Sequence, residues 1–478
     1  MFIGREQELS ELNRRYAQQG FQLPVIYGRR RIGKTRLIQE FLQNKKYVYF
    51  MATEQSGKEL LAAFTMAIKE QIPDERTKYL PAFASWEDLF GYLTELASRE
   101  KRLILAIDEY PYLAKAVPAV SSLLQKVIDN DWSKTNLYFI LCGSSMSFME
   151  KQVLGEKSPL YGRRTGQLKL GPMPYYEGRS FFSSWAVEEQ LIGYGICGGI
   201  PKYLELFAQY GSLREAVTGE FLLPGGHLHE EPDNLMKQEL REPAVYNSIL
   251  AAIAGGATKL NEIAQAVGME AQKLGFYLKN LHALGITAQE KPVGKGGARR
   301  GRYKVADAMF DFWYRFMPRC QSLIALGAGE RVYDGRIAPG LDEFFGHIFE
   351  DICMQYLKAQ VAKGEIAELY TDYGRWWGAN PLKKREEEID LVLSDEKNLL
   401  VGECKWTRKP VGRQELALLE ERAAIIRDGK NLRYVLFSRT GFTEELLSFN
   451  RDDVMLISIT ELMRIDEGAD NSTVMETS

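Results

Sequence analysis

The sequence predicts an α/β fold with a parallel sheet in its amino-terminal part, followed by helical segments and then by a second α/β unit. The first prediction rests on five short apolar runs between residues 23 and 173, which alternate with amphipathic segments of helical length. Strands of a parallel sheet are covered on both faces, so their sequences are continuously apolar. The runs are LPVIYG, KYVYFMA, RLILAIDEY, NLYFILCGSS and GQLKLGPM.

The length and composition indicate a folded protein of several domains. A chain of 478 residues is too long for one hydrophobic core, and it predicts about three domains. A hydrophobic content of 45% and a charged content of 26% are ordinary for folded chains. The predicted segments are an α/β core over 1–175, a helical lid over 176–240, a helix-turn-helix segment with its connector over 241–335, and a second α/β domain over 336–478.

Charge and targeting features exclude several classes of protein. A net charge of -3 gives no overall attraction to nucleic acid or to anionic membranes, so any such binding requires a local patch. The first residues have no apolar signal-peptide core, and no run approaches the roughly 20 apolar residues that span a bilayer. The five cysteines and four histidines lack the spacing of a zinc or redox site. We expect a cytoplasmic protein without membrane contacts.

A phosphate-binding loop follows the first apolar run. Gly28 to Thr35 form the pattern G-x-x-x-x-G-K-T between a strand and a helix. Such a loop turns backbone N–H groups and a helix N-terminus toward phosphate, with the lysine near the β- and γ-phosphates and the threonine hydroxyl near Mg²⁺. The pattern predicts a P-loop NTPase fold that binds ATP and Mg²⁺. The predicted contacts are Gly28, Arg29, Arg30, Arg31, Ile32, Gly33, Lys34, Thr35 and Arg36.

Two acids end the third apolar run, and two serines end the fourth. Two adjacent acids, Asp108 and Glu109, at the end of an apolar strand indicate a functional role for these side chains. We expect Asp108 to hold Mg²⁺ through water and Glu109 to polarise the attacking water. Ser144 and Ser145 either sense the γ-phosphate or cap the following helix. A solvated surface turn is the alternative for the two acids.

Several strings together resemble the archaeal-type ATPase family of the AAA+/STAND group over about residues 1–235. They are FIGREQEL, the P-loop, LILAIDEY, ILCGSS, LYGRRTG and CGGIPKYL. The resemblance implies that an arginine after the fourth strand reaches phosphate, within one chain or across a homo-oligomer, although a surface salt bridge is an equal alternative. The residues implicated in this way are Gly4, Arg5 and Glu6 beside the base, Arg163 or Arg164 at the phosphates, and Pro201 in the adenine pocket.

Residues 241–306 predict a winged helix-turn-helix. Two helical runs flank the turn GMEAQ, and strand-like segments surround the basic loop GKGGARRG, which includes Arg299 and Arg300. In such domains the second helix enters the major groove and a basic wing contacts phosphates. We expect DNA as a partner, and packing between domains is the alternative. The predicted outward side chains of the second helix are Gln272, Lys273, Tyr277 and Lys279.

The carboxy-terminal segment contains the pattern Asp390…Glu403-x-Lys405 on two successive strands. Alternation along a strand predicts that Glu403 and Lys405 point the same way, toward Asp390. Two carboxylates and a lysine can bind Mg²⁺ and stabilise the charge of a scissile phosphate. Glu350, on the preceding helix, would be a further metal ligand. The segment predicts an α/β restriction-endonuclease-like domain, and an inactivated fold with a Glu403–Lys405 salt bridge is the alternative.

This carboxy-terminal region, about 340–465, also resembles the nuclease-like domain that accompanies the same ATPase family. Arg375, Trp376 and Trp377 would contact substrate or pack in the core. The sequence as a whole predicts an ATP-hydrolysing switch that controls a Mg²⁺-dependent, nuclease-like effector acting on DNA. One alternative is a STAND-type regulatory ATPase whose last domain only binds protein or nucleic acid. Another is a DNA-binding regulator that uses only the wing.

Overall fold

The computed structural model describes residues 2–72, 81–294, 301–381 and 383–466. The chain forms two compact units. The first comprises Met1–Met173 together with Ile200–Lys202, and the second comprises Pro174–Gly199 together with Tyr203–Ser478.

A five-stranded parallel sheet in the order β2-β3-β4-β1-β5 forms the centre of the first unit. Its strands are β1 (Pro24–Tyr27), β2 (Tyr47–Met51), β3 (Ile104–Asp108), β4 (Tyr138–Gly143) and β5 (Gly166–Lys169). Each strand lies within one of the five apolar runs, so the predicted α/β fold with a parallel sheet is confirmed. The central strands β1, β3 and β4 are buried along their whole length. Because the sheet is parallel, their carboxyl ends meet at one edge.

Amphipathic helices cover this sheet. The Ser56 side chain accepts the N–H of Glu59 at the start of the helix Gly57–Gln71, and the Ser85 side chain accepts the N–H of Asp88 at the start of the helix Trp86–Arg99. The helices are α1 (Glu6–Ala17), α2 (Lys34–Leu42), α3 (Gly57–Gln71), α4 (Trp86–Arg99), α5 (Tyr110–Ala116) and α6 (Val120–Asn130). Shorter helical turns are Trp132–Lys134, Met146–Phe148 and Met149–Val153.

The first elements of the second unit are helices, in the segment 176–240 that the sequence predicts to be a helical lid. They are α7 (Val187–Cys197), α8 (Pro201–Phe207), α9 (Leu213–Phe221) and α10 (Glu231–Glu239), with shorter turns at Tyr175–Gly178 and Arg179–Phe182. The first two residues of α8 belong to the first unit. Three further helices follow, namely α11 (Pro243–Ala254), α12 (Leu260–Val267) and α13 (Ala271–Ala283). A two-stranded antiparallel sheet of β6 (Thr287–Glu290) and β7 (Arg302–Val305) comes next.

The second unit ends in a five-stranded mixed sheet in the order β12-β11-β10-β9-β8. The strands are β8 (Asp372–Asn380), β9 (Arg385–Ser394), β10 (Asn398–Lys405), β11 (Asn431–Ser438) and β12 (Val454–Ser458). The two strands predicted for the Asp390…Glu403-x-Lys405 pattern are β9 and β10, which pair antiparallel, whereas β10, β11 and β12 are parallel.

Helices α14 (Ala308–Phe316), α15 (Leu341–Lys363) and α16 (Arg413–Ile426) complete the longer elements of this unit. Shorter turns are Gln321–Ala325, Gly329–Val332, Tyr333–Ile337, Ala338–Gly340, Glu444–Leu447, Ile459–Leu462 and Met463–Asp466. Over the described part of the chain, no helix combines the length and the apolar character that a membrane crossing requires.

Candidate functional site

The loop between β1 and α2 has glycine at two positions that demand it. A Cβ atom on Gly28 would lie 2.6 Å from the carbonyl oxygen of Leu170. Gly33 has a φ of 88°, in the left-handed region that favours glycine, and it is the N-cap of α2. Because α2 begins at Lys34, the positive end of the helix dipole lies at the loop. This geometry suits an anion such as a phosphate.

Lys34 lies inside the loop. Its Nζ donates hydrogen bonds of 3.0 Å to the carbonyl oxygens of Gly28 and Arg29, and the residue is only 5% exposed. A buried ammonium is costly unless it is hydrogen-bonded. The two bonds therefore hold a positive charge at the predicted phosphate site.

The other predicted loop residues lie around this centre. Ile32 is buried and anchors the loop, whereas Arg36 is exposed on α2. Arg30 Nη2 donates to the Tyr112 hydroxyl at 2.9 Å. The loop is thus attached both to the core and to α5.

Residues 200–202 belong to the same compact unit and contact the loop. A Cβ atom on Gly33 would lie 3.5 Å from the ring of Pro201, and the N–H of Lys202 donates to the Arg31 carbonyl at 3.4 Å. Pro201, which the family resemblance implicates in adenine binding, therefore packs against the P-loop.

Asp108 ends β3 and is fully buried. Its Oδ2 accepts the Thr35 hydroxyl at 2.6 Å and the Tyr49 hydroxyl at 3.0 Å, and its Oδ1 accepts the N–H of Glu109 at 2.8 Å. The structure thus brings together the two predicted magnesium residues, Thr35 and Asp108. Tyr49 is a residue that the sequence analysis missed, since nothing in the sequence reveals that β2 lies beside β3.

Glu109 has a left-handed backbone, with φ 51° and ψ 42°, and is the N-cap of α5. Such a conformation is uncommon for a residue other than glycine and is found at functional sites. Its Oε2 accepts the Ser144 hydroxyl at 2.8 Å and the Ser144 N–H at 3.2 Å. Ser145 instead occupies an N-cap position without a side-chain capping bond.

Arg5 connects the start of α1 to the P-loop. Its Nη2 donates to the carbonyl oxygens of Ile32, at 3.3 Å, and of Gly171, while its Nη1 pairs with Glu8 at 2.8 Å. Gly4 and Arg5 have φ values of 66° and 67°, and Glu6 begins the helix. The segment predicted to border the base is therefore tied to the end of the loop.

The two arginines after β4 bond elsewhere in this structure. Arg163 Nε and Nη2 donate to the two carboxylate oxygens of Asp129 at 2.7 and 2.6 Å, and this pairing lowers the pKa of Asp129. Arg164 Nη1 donates to the Leu154 carbonyl at 2.9 Å. The salt bridge of Arg163 matches the alternative given above, and phosphate contact stays a prediction.

A second polar site lies in the second unit, in a cleft of about 270 Å³ lined by Glu350, Arg375 and Asp390 among others. Arg375 Nη2 pairs with Glu350 at 2.8 Å, and Asp390 Oδ2 accepts the N–H of Cys404 at 2.9 Å. Burial, followed by the charges of Glu403 and Glu350, raises the pKa of Asp390 to about 8. The cleft thus holds a carboxyl group with an unusual affinity for protons.

Glu403 and Lys405 lie on one side of β10 and form an ion pair, as predicted, and the charges of both act on Asp390. Glu403 pairs with Lys405 and, at 3.0 Å, with Arg422 of α16, whereas Asp390 lines the cleft beside α15. The regular ladder between β9 and β10 ends at Leu391 and Gly402. Continued by one residue, this register sets Asp390 opposite Glu403, and Asp390 Oδ2 accepts the N–H of the adjacent Cys404 at 2.9 Å. The convergence of the three side chains on one metal ion stays a prediction.

The predicted metal ligands of this domain are not preassembled. Over residues 2–72, 81–294, 301–381 and 383–466, no group of three or more His, Cys, Asp or Glu side chains is arranged to hold a metal ion. Glu350 is instead paired with Arg375, and Glu403 with Arg422. All five cysteines are buried and unbridged.

The second helix of the predicted helix-turn-helix, α13, exposes Gln272, Lys273 and Lys279. The prediction that Tyr277 faces outward is wrong. Tyr277 is 3% exposed, and its hydroxyl donates to Glu242 at 2.9 Å, because it lies on the apolar stripe that packs the helix. Phe276 is 61% exposed and takes the outward position.

The predicted wing contacts the carboxy-terminal sheet. Arg299 and Arg300, in its basic loop, lie outside the described residues. On β7 the guanidinium of Arg302 lies 4.7 Å from the ring centre of Trp377. Trp376 and Trp377 are 6% and 4% exposed, which agrees with the core-packing alternative.

The parallel sheet, the loop that encloses Lys34 and the bonded pair Thr35–Asp108 define the amino-terminal unit as a P-loop ATPase. Comparisons with known proteins agree. A family described as an ATPase domain predominantly from Archaea matches residues 2–207. A second family, described as archaeal and bacterial proteins of unknown function, matches residues 313–420. The protein is an ATPase.

One relative covers most of the chain. It is an uncharacterised protein of Methanocaldococcus jannaschii, 34% identical over 410 residues, which cover 85% of this chain and 88% of the relative. The chain therefore belongs to the same protein family as this relative. An uncharacterised ATP-binding protein of the same organism is 50% identical over 46 residues, or 10% of this chain and 78% of that protein.

Among solved structures, the Walker-type ATPase of Pyrococcus abyssi is similar to this chain. The TM-score is 0.52 and the sequence identity 21%, and the match covers 66% of this chain and 96% of the other. At this identity the likeness establishes the fold alone.

Proposed function

We propose that this protein is a switch ATPase whose nucleotide state controls its carboxy-terminal domain. The observation that carries the proposal is the hydrogen bond between Thr35 and Asp108, beside the loop that encloses Lys34. It places a hydroxyl, a carboxylate and an ammonium at one edge of the sheet, which is the set that phosphoryl transfer from ATP requires.

Each residue has a distinct role in this proposal. The loop N–H groups and Lys34 bind the β- and γ-phosphates. Thr35 and Asp108 are oxygen donors of the kind that Mg²⁺ prefers, and they would hold the ion. An Mg²⁺ ion held there would neutralise charge on the phosphates.

Glu109 accepts a hydrogen bond from the attacking water, and Ser144 fixes the carboxylate that does so. The water oxygen bonds to the γ-phosphorus as the bond from that phosphorus to the β–γ bridging oxygen breaks. ADP leaves with the bridging oxygen, and the other product is dihydrogen phosphate, which carries both protons of the water. Because hydrolysis removes the γ-phosphate, the contacts of the loop differ between the ATP and ADP forms. That difference would be the switch.

The test is ATP turnover by the Lys34→Ala variant beside a Lys46→Ala control. Lys46 is an exposed lysine that pairs with Glu100 at the surface. We expect Lys34→Ala to abolish turnover and Lys46→Ala to leave it unchanged. Equal turnover in wild type and Lys34→Ala would remove the assigned role of the loop.

We propose DNA cleavage as a second function, located in the carboxy-terminal sheet. The observation that favours it is the buried carboxyl of Asp390 in a cleft with Glu350. Acids with strongly shifted proton affinity in a cleft are characteristic of functional sites. The winged helix-turn-helix would supply DNA contacts through Gln272, Lys273 and Lys279. Magnesium binding would require Glu350 to exchange Arg375 for the ion.

This second function is tested by incubating supercoiled plasmid and single-stranded DNA with the full chain, Mg²⁺ or Mn²⁺, and with or without ATP. Asp390→Asn should abolish cleavage, and Asp372→Asn, which changes an exposed aspartate of the same sheet, should not. Absence of cleavage by wild type under every condition would favour the regulatory alternative, in which this domain only binds protein or nucleic acid.

A further inference from the structure

Tyr49 lies at the middle of β2, the edge strand of the parallel sheet. An edge strand leaves backbone groups without a neighbouring strand. Here the side chain of Gln71, on α3, satisfies them at one position: its Oε1 accepts the N–H of Tyr49 at 2.7 Å, and its Nε2 donates to the Tyr49 carbonyl at 2.8 Å. This amide clamp holds the backbone of Tyr49 in place.

The phenol of Tyr49 reaches the carboxyl end of the neighbouring strand. Tyr49 is paired with Ala106 of β3, two residues before Asp108, so all three side chains lie on one face of the sheet. The small methyl group of Ala106 leaves room along that face. The hydroxyl donates to Asp108 Oδ2 at 3.0 Å, the same oxygen that accepts the Thr35 hydroxyl.

We propose that Tyr49 is a positioning residue for ATP hydrolysis, whose hydroxyl fixes the orientation in which the Asp108 carboxylate serves magnesium. The inference rests on the role assigned above to Asp108. A fully buried carboxylate needs hydrogen-bond donors, because an unsatisfied buried polar group is costly. If the Thr35 hydroxyl turns toward the ion, Tyr49 remains as a side-chain donor to Oδ2.

The state of the phenol agrees with this role. A tyrosine hydroxyl is protonated at neutral pH, so it can donate a hydrogen bond to the carboxylate. The hydroxyl acts through Asp108 and contacts neither ATP nor the attacking water in this scheme.

The experiment measures ATP hydrolysis by Tyr49→Phe as a function of Mg²⁺ concentration at saturating ATP. Loss of one hydrogen bond to a charged group predicts a rise of about tenfold in the Mg²⁺ concentration for half-maximal rate. The KM for ATP at saturating Mg²⁺ should change by less than about twofold, because Tyr49 makes no phosphate contact in this scheme. Tyr47→Phe removes a hydroxyl from the same strand two residues away and should behave as wild type.

Two further variants keep the result interpretable. Gln71→Ala leaves the hydroxyl but removes the clamp, and should raise the Mg²⁺ requirement by a smaller factor. Asp108→Asn should abolish hydrolysis. An unchanged Mg²⁺ requirement in Tyr49→Phe, or an equal rise in Tyr47→Phe, would overturn the inference while leaving the role of Asp108 intact. Full activity in Asp108→Asn would overturn both.

Discussion

Replacement of Ser144 by alanine tests the arrangement around the water-polarising acid. The Ser144 hydroxyl donates to Glu109 Oε2 at 2.8 Å, and the substitution removes this bond without changing the backbone bond of 3.2 Å to the same oxygen. The carboxylate would then be oriented only by the weaker contact. Since orientation of the attacking water matters in the transition state and not in ATP binding, the effect should fall on kcat.

The magnitude follows from the kind of bond that is lost. A hydrogen bond to a charged group contributes about 1.5–3 kcal/mol, and 1.4 kcal/mol corresponds to a factor of ten. Glu109 is half-buried and keeps the Ser144 N–H, so the lower end applies. We therefore expect kcat to fall about tenfold, with the KM for ATP within about twofold of wild type.

The assay is steady-state phosphate release over a range of ATP concentrations, with Ser145→Ala as the matched control. Ser145 is the adjacent residue and makes no side-chain capping bond, so its hydroxyl should be dispensable. Turnover by Ser144→Ala that equals or exceeds that of wild type would refute the role given to this hydrogen bond. An equal loss in both variants would point to a general disturbance of the turn after β4.

Three further changes test other parts of the molecule. Gly28→Ala places a Cβ 2.6 Å from the Leu170 carbonyl, a strain of about 1–3 kcal/mol, and should weaken ATP binding in a calorimetric titration. Arg375→Ala removes the guanidinium that lies 2.8 Å from Glu350, which keeps its contact of 3.4 Å with His347, and should lower the free energy of unfolding by about 3–5 kcal/mol in urea. Burial raises the pKa of Asp311 to about 6. The folded protein therefore keeps a proton that the unfolded chain loses near pH 4, and stability falls by up to about 3 kcal/mol from pH 4 to 6; Asp311→Asn should abolish this fall.

Each of the three substitutions has a control. The control for Gly28→Ala is Gly91→Ala, because a Cβ on Gly91 meets no atom within 4 Å, and this variant should bind ATP as wild type does. Binding of ATP by Gly28→Ala with wild-type affinity would contradict the steric argument. Arg408 is 83% exposed, and Arg408→Ala should cost less than about 1 kcal/mol. An equal loss of unfolding free energy in Arg375→Ala and Arg408→Ala would contradict the ion-pair argument. The same fall of unfolding free energy between pH 4 and 6 in wild type and Asp311→Asn would contradict the burial argument.

Features that depend on residues close together in the sequence were predictable from it. The pattern from Gly28 to Thr35 specified a loop and the helix start at Lys34, and the apolar runs specified the strands of the parallel sheet. The position of Asp108 at a strand end was also predictable. These features follow from local sterics, helix geometry and burial on both faces of a sheet, which act over a few residues.

Features that depend on which elements become neighbours were not predictable. Tyr277 lies on a helical face that could have been solvated, and the structure buries it against Glu242. The alternation of β10 predicted one side for Glu403 and Lys405 correctly, but it did not reveal that Glu403 also pairs with Arg422 of α16 and Glu350 with Arg375. Alternation describes a single strand, and ion pairs with other elements depend on how the chain folds.

The sequence by itself determined that this protein has a P-loop ATPase domain, because the spacing of two glycines, a lysine and a threonine between a strand and a helix is sufficient to form the loop. Only the tertiary structure decided which groups complete the site. It placed β2 beside β3, so that Tyr49 reaches Asp108, and β4 near the end of β3, so that Ser144 bonds Glu109. Contacts between distant segments arise from the order and register of strands in the sheet, and no local pattern encodes that order.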